Sequence, residues 1–387
     1  MKISAVKTYL CNAFRTNWVF VKIETDAGIH GWGEATLEYK ENTVVAAIHE
    51  LEYYLIGADP ANIEKFRHDC YRDAYWRGGP VLTSALAGLE MACWDIKGKV
   101  LQQPVWQLLG GRCRDRVRCY ANVWFVPAKT PAEFAAKAKE AVARGWKALK
   151  WDPFGSAYRD ILRGELRDAV RCVAAVREAV GDTADLLIEG HGRFNVPSAL
   201  RIGQALAEFG ILWFEEPLFP ELNAALPGLK QRLPVPIAAG ERIYTRYQAQ
   251  EFLDNRCGDF IQPDISHVGI KEMRLIGGMA DAAGVGFCPH NPAGPITNLA
   301  TLHVAACTPN FFLLETMATD VSWRSELSDE DIRVENGEML IPARPGLGIE
   351  LNEAALANHP PKHYHLRHYR GDLTAIRPSD AREWFRR

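Results

Sequence analysis

Between residues 118 and 315, one pattern of side chains recurs eight times: a short run of strand-forming residues, then an amphipathic stretch with helical spacing. The strand-like runs cover residues 119–124, 147–151, 185–189, 212–216, 236–241, 259–264, 286–290 and 311–315. Strands that alternate with helices in this way predict a parallel barrel of eight βα units. An open, doubly wound sheet is the alternative, but the GxGxxG motif that usually follows its first strand is absent.

The first 117 residues follow a different pattern. Apolar and polar residues alternate over 18–34 on either side of Asp26-Ala27-Gly28, which predicts a hairpin. Helical spacing follows over 41–56, 60–75 and 84–110, with a break at Pro104 in the last. We therefore predict an α+β domain over 1–117 and the barrel over 118–340. The remaining segment, 341–387, lacks barrel periodicity, and we expect it to pack back on the first domain.

Composition excludes several classes of protein. The chain has 45 basic and 48 acidic residues, a net charge of −3, so neither sign has the excess that binding nucleic acid requires. Apolar runs stay far below the ~18 residues of a membrane-spanning helix, and the N-terminus MKISAVKTYL does not resemble a signal peptide. Nine cysteines without a CxxC pair indicate buried, reduced thiols. We expect a cytoplasmic homo-oligomer that acts on a small molecule, without nucleic-acid or membrane partners.

Ionisable residues stand at the end of nearly every predicted strand. Because the active site of such a barrel lies at the C-terminal ends of its strands, these residues are the candidates for chemistry. They are Lys150 with Asp152, Glu189 with His191, Glu215 with Glu216, Glu241, Asp264, His290 and Glu315.

Three glutamates among them are spaced by one βα unit. Glu189, Glu215 and Glu241 are 26 residues apart in each step, which predicts that they end adjacent strands. Converging carboxylates repel one another unless a cation joins them, and oxygen ligands suit Mg²⁺. The sequence thus predicts a magnesium site, the alternative being that each glutamate pairs locally with an arginine or lysine.

Two histidines complete the candidate site. Asp264 and His290 end neighbouring strands, and an aspartate beside a histidine fixes its tautomer and raises its basicity, which predicts a general base. His191 lies two residues beyond Glu189, so strand alternation would place both side chains on one side. This histidine could be a metal ligand, a general acid or a hydrogen-bond donor.

Glu315 and Lys150 are predicted to handle charge on a substrate. A neutral Glu315 could donate a hydrogen bond to a developing oxyanion, and an ionised one could hold a substrate hydroxyl. Lys150 could neutralise a carboxylate or enolate. The C-terminal histidines are predicted to be surface or interface residues, namely His359, His363, His365 and His368. The stretch 152–155 is predicted to be a structured loop over the pocket, and His267 is left without a role.

The motifs together resemble the enolase superfamily, in its mandelate-racemase-like subgroup, and within it the sugar-acid dehydratases. They include KIETDAGIHGWGE, WDIKGK, IEGHGR, FEEP, AAGER, QPDISH and PHNPAGP, and the likeness covers nearly the whole chain. It implies a modified (β/α)₈ TIM-type barrel with an N-terminal α+β capping domain. It also implies Mg²⁺ on the three glutamates, His290 with Asp264 as base, His191 as acid and Glu315 as hydrogen-bond partner of the enolate.

Two positions depart from this subgroup. Its members often carry a KxK pair at the end of the second strand, with the second lysine as a base, whereas this chain has Lys150-Trp151-Asp152. Racemisation between that lysine and the histidine is therefore disfavoured. Glu189 also stands where many relatives carry aspartate.

The resemblance implies a magnesium-dependent dehydratase that removes the C2 proton and the 3-hydroxyl of a sugar acid, an aldonate such as galactonate or gluconate. We expect Lys150, Asp152, Tyr39 and Trp76 to bind the substrate, the last two from loops that close over the barrel mouth. An epimerase or racemase, a cycloisomerase and a non-catalytic protein that retains the metal remain the alternatives.

Overall fold

The computed structural model describes residues 1–13, 16–73, 75–317, 321–329, 332 and 334–364. The predicted surface histidines His365 and His368 lie outside these residues. In the described part of the chain, no helix combines the length and the apolar character needed to cross a membrane. All nine cysteines are unpaired and all but Cys113 are buried, as predicted.

The N-terminal part is a three-stranded antiparallel sheet covered by helices. Its strands are β1 (Ile3–Asn12), β2 (Asn17–Thr25) and β3 (His30–Glu34), and its helices are α1 (Glu41–Leu55), α2 (Ile63–Arg67), α3 (Pro80–Leu101) and α4 (Val105–Leu108), with a π-helical turn over His68–Arg72. The β2–β3 hairpin confirms the sequence prediction. Strand β1, which pairs with β2 over its whole length, was not predicted.

Two glycines let the sheet lie directly on α3. A Cβ atom on Gly31 or Gly33 would overlap the backbone carbonyls of Ala92 and Gly88 in that helix. The GxG of the sequence GIHGWGE is therefore a packing requirement, and α3 becomes the central helix of the domain.

Eight parallel strands form the second part. They are β4 (Arg116–Asn122), β5 (Ala148–Trp151), β6 (Asp185–Glu189), β7 (Trp213–Glu215), β8 (Ile237–Ala239), β9 (Phe260–Ile261), β10 (Gly286–Phe287) and β11 (Leu314–Met317). Strands β4 to β10 neighbour one another in chain order, and β11 pairs with β4. A single parallel bridge joins Phe287 to Phe311, just before β11. Because the first and last strands are neighbours, the predicted barrel is confirmed over the open, doubly wound sheet.

The helices between these strands surround the barrel. They are α5 (Pro131–Ala143), α6 (Arg163–Val180), α7 (Val196–Leu206), α8 (Leu226–Lys230), α9 (Arg246–Asp254), α10 (Ile265–Ala282) and α11 (Pro295–Cys307). Several start at a side-chain cap that the sequence supplies, such as Thr130 with Glu133 at α5 and Asn195 at α7. The barrel interior is filled by one buried cluster: Tyr120, Ala148, Leu187, Trp213, Ala238, Cys288 and Leu313.

The chain after the barrel returns to the N-terminal sheet. It contains α12 (Arg324–Leu327), β12 (Val334–Glu335), β13 (Glu338–Leu340) and α13 (Glu353–Asn358), and β13 pairs antiparallel with β4. The backbone N–H of Asn12 donates to the carbonyl of His359, at 2.9 Å, and the amide of Asn17 donates to the carbonyl of Lys362, at 2.9 Å. Residues 359–362 thereby lie against the end of β1 and the start of β2.

Candidate active site

Three glutamates meet at the C-terminal end of the barrel. Glu189 and Glu215 end β6 and β7 in register with each other, and Glu241 follows β8 after Gly240. Each offers a carboxylate oxygen within 4.8 Å of the others. Burial and repulsion from Glu189 raise the pKa of Glu215 to about 8. The cluster is thus short of positive charge, and its oxygen-only donor set fits a hard divalent cation.

The amino group of Lys150 lies among these carboxylates. Its Nζ is 2.5 Å from Glu215, 3.0 Å from Glu315 and 3.3 Å from Glu189. Burial favours the neutral amine, but the carboxylates outweigh burial and raise the pKa of Lys150. The lysine is therefore a permanent cation at the end of β5, where the sequence predicted one.

Local pairing accounts for only part of the negative charge. Arg242 spans Glu241 and Glu216, at 2.8 and 2.6 Å. Five buried or half-buried carboxylates, including Glu315, thus contact two permanent cations, Lys150 and Arg242. A third positive group, Nε2 of His290, lies 3.6 Å from Glu241 and 3.8 Å from Glu315. The alternative of local pairing with a lysine or arginine is therefore present, since each of the three glutamates contacts Lys150 or Arg242, but these cations are shared with Glu216 and Glu315.

His290 and Asp264 form a pair at the other side of the cluster. A backbone bridge joins the two residues, and Nδ1 of the histidine lies 2.7 Å from Oδ2 of the aspartate. The other oxygen of Asp264 accepts the N–H and hydroxyl of Ser266, at 2.7 and 2.6 Å, and so caps α10. Burial lowers the pKa of His290, but Glu241 and Glu315 outweigh it and raise the pKa to about 10.

His191 reaches the site through a turn and not through strand alternation. Strand β6 ends at Glu189, and His191 and Gly192 both have left-handed backbones, with φ of 51° and 58°. The N–H of His191 donates to Glu189 Oε1 at 2.7 Å. The expectation that alternation would carry both side chains to one side is wrong because the strand is already over. Gly192, directly after the histidine, is the residue from which this turn could have been predicted.

Asp152 contacts His191 and Arg193. Its Oδ2 is 2.8 Å from Nδ1 of the histidine, and the guanidinium of Arg193 donates to both carboxylate oxygens, at 2.6 and 2.8 Å. Asp152 was predicted to bind substrate, yet its oxygens are already occupied by these donors. Burial would raise the pKa of Asp152, but Arg193 and His191 hold it below its ordinary value.

Glu315 is held in its ionised form. It accepts the side-chain amide of Asn122 at 2.8 Å and the backbone N–H of Asn291 at 3.0 Å. Burial opposes ionisation, but Lys150 and His290 outweigh it and lower the pKa of Glu315 to about 2. The expectation of a neutral, donating Glu315 is therefore not favoured, whereas an ionised, accepting one is.

Trp76 and Tyr39, the two residues of the N-terminal domain that were predicted to bind the substrate, lie in different surroundings. The side chain of Trp76 is 81% exposed and packs edge-on against Tyr75, which is 87% exposed. Tyr39 is half-buried with a φ of 64°, in the turn before α1. His267, for which the sequence predicted no role, lies with Nδ1 2.9 Å from the hydroxyl of Ser84 in α3.

Four residues of the site were not predicted from the sequence: Arg193, Arg242, Asn122 and Asn291. Arg193 and Arg242 stand inside the motifs HGR and GER, directly beside predicted site residues, so a signal was present for them. Asn291 had the same signal, because it follows His290 in the motif PHNPAGP, whereas Asn122 had none and reaches Glu315 only through the fold.

Comparison with known proteins places the chain among enzymes of known fold. Residues 133–355 match the model of the enolase C-terminal domain-like family, and residues 4–110 match the mandelate racemase/muconate lactonizing enzyme N-terminal domain. Curated relatives named D-galactonate dehydratase, from Cronobacter sakazakii and Ralstonia nicotianae, are each 39% identical over 91–92% of this chain and 93% of their own.

Solved structures agree with these matches. The mandelate racemase/muconate lactonizing enzyme from a Sulfitobacter species superposes with a TM-score of 0.90 at 33% identity, over 95% of this chain and 97% of that one. The corresponding protein from Jannaschia sp. CCS1 gives a TM-score of 0.89 at 32% identity, over 95% and 99%. The chain belongs to the mandelate racemase/muconate lactonizing enzyme family of the enolase superfamily.

Proposed function

We propose that this enzyme is a magnesium-dependent sugar-acid dehydratase. It removes the C2 proton and the 3-hydroxyl of an aldonate such as galactonate or gluconate, giving a 2-keto-3-deoxy acid and water. The observation that carries the proposal is a pair of histidines, each held by its own aspartate, that approach the carboxylate cluster from different strands: His290 with Asp264 and His191 with Asp152. Elimination of water needs one base and one acid, and the relatives named D-galactonate dehydratase support a sugar acid as substrate.

Glu189, Glu215 and Glu241 would hold the Mg²⁺. The closeness of their oxygens and the excess of negative charge around them support this assignment. When bound, the ion would draw electron density from the substrate carboxylate and so make the neighbouring C2–H more acidic.

Side chains of this enzyme carry out the proton transfers and stabilise the charges of the reaction. Asp264 accepts the Nδ1–H of His290, which leaves Nε2 to take the C2 proton. A bound divalent cation would offset the charge of Glu241, one of the carboxylates that hold the pKa of His290 high, and so would favour an unprotonated Nε2. Lys150 stabilises the negative charge that develops on the substrate carboxylate. His191, protonated on both ring nitrogens, gives its Nε2 proton to the 3-hydroxyl, the C3–O bond breaks with its electron pair going to the departing water, and the C2–H electron pair forms the C2–C3 double bond. The resulting enol tautomerises, gaining a proton at C3 and losing the C2 hydroxyl proton, to give the 2-keto-3-deoxy acid. The ionised Glu315 accepts a hydrogen bond from a substrate hydroxyl.

An epimerase is the second candidate, and one observation favours it. His191 has a carboxylate partner as His290 does, so it could serve as a base on the opposite face of C2. Epimerisation would return the substrate with an inverted C2 and without loss of water, whereas the missing second lysine after Lys150 argues against it.

One assay distinguishes these functions. The protein is incubated with Mg²⁺ and a panel of aldonates and aldarates, products are scored as 2-keto acids, and recovered substrates from D₂O are examined by NMR. We expect a 2-keto acid from at least one aldonate, no inverted substrate, loss of activity with EDTA and its return with Mg²⁺. The His290→Asn variant is the control and should form no product.

Each other outcome would support a different conclusion. Deuterated substrate with inverted C2 would establish the epimerase. Full activity in the metal-free protein would refute the magnesium dependence. Tight binding of a sugar acid with neither exchange nor product would indicate a binding protein that retains the metal cluster.

A further inference from the structure

Asp152 stands at the position where the sequence departs from the KxK pattern. It follows the last residue of β5, and its carboxylate is buried. Four donors surround it: the backbone N–H of Phe154 at 2.9 Å, two nitrogens of Arg193 and the Nδ1 of His191. A carboxylate whose oxygens already accept four hydrogen bonds is fixed in position and has little capacity left to bind a substrate.

Arg193 fixes the orientation of that carboxylate. The guanidinium is 2% exposed and lies over the rings of Phe154 and Phe194, at 5.7 and 5.1 Å. It meets both oxygens of Asp152 in the two-pronged geometry that defines the carboxylate plane. Asp152 is thereby held ionised, and an ionised carboxylate can only accept hydrogen bonds.

Hydrogen bonds therefore fix both the backbone and the imidazole ring of His191. Its backbone N–H is bound to Glu189, and its Nδ1 must carry the hydrogen that Asp152 accepts. Its side chain is 28% exposed, and Nε2 makes no hydrogen bond to any described residue. Nε2 is therefore the nitrogen left to meet a ligand.

We propose that Asp152, clamped by Arg193, is a positioning residue that holds the Nδ1–H of His191 and so fixes the orientation of the ring. The imidazolium form of His191 then delivers its Nε2 proton to the leaving 3-hydroxyl and is left as the neutral Nδ1–H tautomer. This inference rests on the dehydratase function proposed above and deepens it. The aspartate that replaces the second lysine of the KxK pattern turns a site of proton abstraction into the support of a general acid. The base His290 has a different support, since its Asp264 is held by Ser266 and the start of α10.

Two variants of the full-length protein test the proposal. In Asp152→Asn, either orientation of the amide turns an NH₂ group toward an N–H of Arg193, so the clamp is broken. In the double variant Asp152→Leu with Arg193→Met, both buried charges are removed together, which leaves neither one unpaired. Asp168→Asn, on the exposed face of α6, is the matched control.

The readouts separate a positioning role from a structural one. We expect dehydration to fall about 10-fold or more in Asp152→Asn and about 10²-fold in the double variant, the usual contribution of a positioned acid. Exchange of the C2 hydrogen in D₂O should stay within about 3-fold of wild type, because His290 is untouched, and KM should change little. Equal loss of exchange and dehydration, or dehydration unchanged in both variants, would overturn the proposal.

A second measurement does not depend on activity. In protein with ¹⁵N-labelled histidine, at a pH where the ring is neutral, the resonances of His191, assigned by their loss in His191→Asn, should show the Nδ1–H tautomer in wild type and a mixture with Nε2–H in the double variant. A wild-type ring protonated on Nε2 alone would also refute the proposal. If no sugar acid is dehydrated but the tautomer changes as expected, the proposed function fails while the positioning of His191 stands.

Discussion

Glu215 shows most directly why the cluster needs a cation. It is 1% exposed, and Glu189 and Lys150 both lie against it. A buried carboxylate that faces another carboxylate is unstable in its charged form, and Lys150 supplies only one positive charge for three neighbouring glutamates. A divalent ion would compensate the remainder, which makes Glu215 the residue on which metal binding should depend most clearly.

We predict that Glu215→Gln weakens Mg²⁺ binding by more than the ~10–100-fold that loss of an outer-shell partner typically costs, because a direct ligand is removed. Isothermal titration with MgCl₂ measures this on wild type, on Glu215→Gln and on the control Glu178→Gln, which changes an exposed glutamate of α6. The control should bind as wild type does. Unchanged affinity in Glu215→Gln would place the metal elsewhere.

The residues of the site differ in how far sequence could predict them. The glutamates were predictable because one βα unit separates them and every strand of a parallel barrel ends on the same face. The contacts of Glu315 were not, since Asn122 and Asn291 are 169 residues apart in the numbering and meet only after the barrel closes. The left-handed backbone of His191 was missed although glycines flank this residue, because the turn is held by the carbonyls of Glu215 and Glu216 at the end of the neighbouring strand.

Helix α10 shows how an element can link the domains. Its backbone breaks at Gly269, which has φ 79°, and the carboxylate of Glu90 from α3 fits into this break. There Glu90 accepts the backbone N–H of Lys271 at 2.8 Å and also pairs with Arg67. The helix that Asp264 caps is therefore fixed by a side chain of the N-terminal domain.

We predict that Gly269→Ala lowers the free energy of unfolding by about 2 kcal/mol or more. At φ 79° and ψ 170° the backbone of Gly269 lies in a region that essentially only glycine occupies, where another residue costs about 1–3 kcal/mol, and the new Cβ would also overlap the Glu90 carboxylate. In the same helix, Gly278→Ala should instead gain about 0.5–1 kcal/mol, because its backbone is helical and the space around it is open. Urea unfolding compares them, and equal effects would contradict the role given to the break.

Helices and strands could be predicted where the hydrophobic periodicity of the sequence is strong. Strands that form only by pairing with a residue range far away in the sequence were missed. The eight barrel strands recur with helices between them, so their positions were readable, although β9 and β10 have only two residues each. Strand β13 was not predicted, because its partner β4 lies more than 200 residues earlier in the sequence. Strand β1 likewise needs β2 to pair with, and its own alternation is weak.

At the scale of the whole molecule, carboxylates join the N-terminal domain to the barrel and to the C-terminal segment. Glu34, at the end of β3, accepts the N–H groups of Gly294 and Thr297 at the start of α11, at 2.7 and 3.1 Å. That helix comes after the loop that carries His290, so the position of this histidine depends on both domains. Glu350, after the barrel, accepts the indole N–H of Trp32 at 3.0 Å and contacts Lys99 and His30, at 2.5 and 2.8 Å.

Glu350 also makes the free energy of unfolding depend on pH. Burial raises its pKa, but Lys99 and His30 outweigh burial and hold the pKa below the ordinary value of 4.5. A carboxyl group with a depressed pKa stabilises the folded state above its unfolded pKa, and this stability is lost as the pH falls through the folded pKa. Other acids nearby, Asp95 beside Lys99 and Asp329 beside the Glu350 backbone, are the same in wild type and variant.

We therefore predict that Glu350→Gln is less stable than wild type by about 1 kcal/mol at pH 7, a modest value because the side chain is 46% exposed and partly screened by solvent. The difference should shrink toward zero as the pH falls below about 4, where the wild-type carboxyl group is protonated and resembles the amide. Urea midpoints measured from pH 7 down to pH 4 and below give this curve. Glu251→Gln, an exposed position of α9, should stay within about 0.5 kcal/mol of wild type throughout. A difference for Glu350→Gln that persists or grows in acid would mean that packing of this side chain, and not its charge, holds the C-terminal segment to the N-terminal sheet.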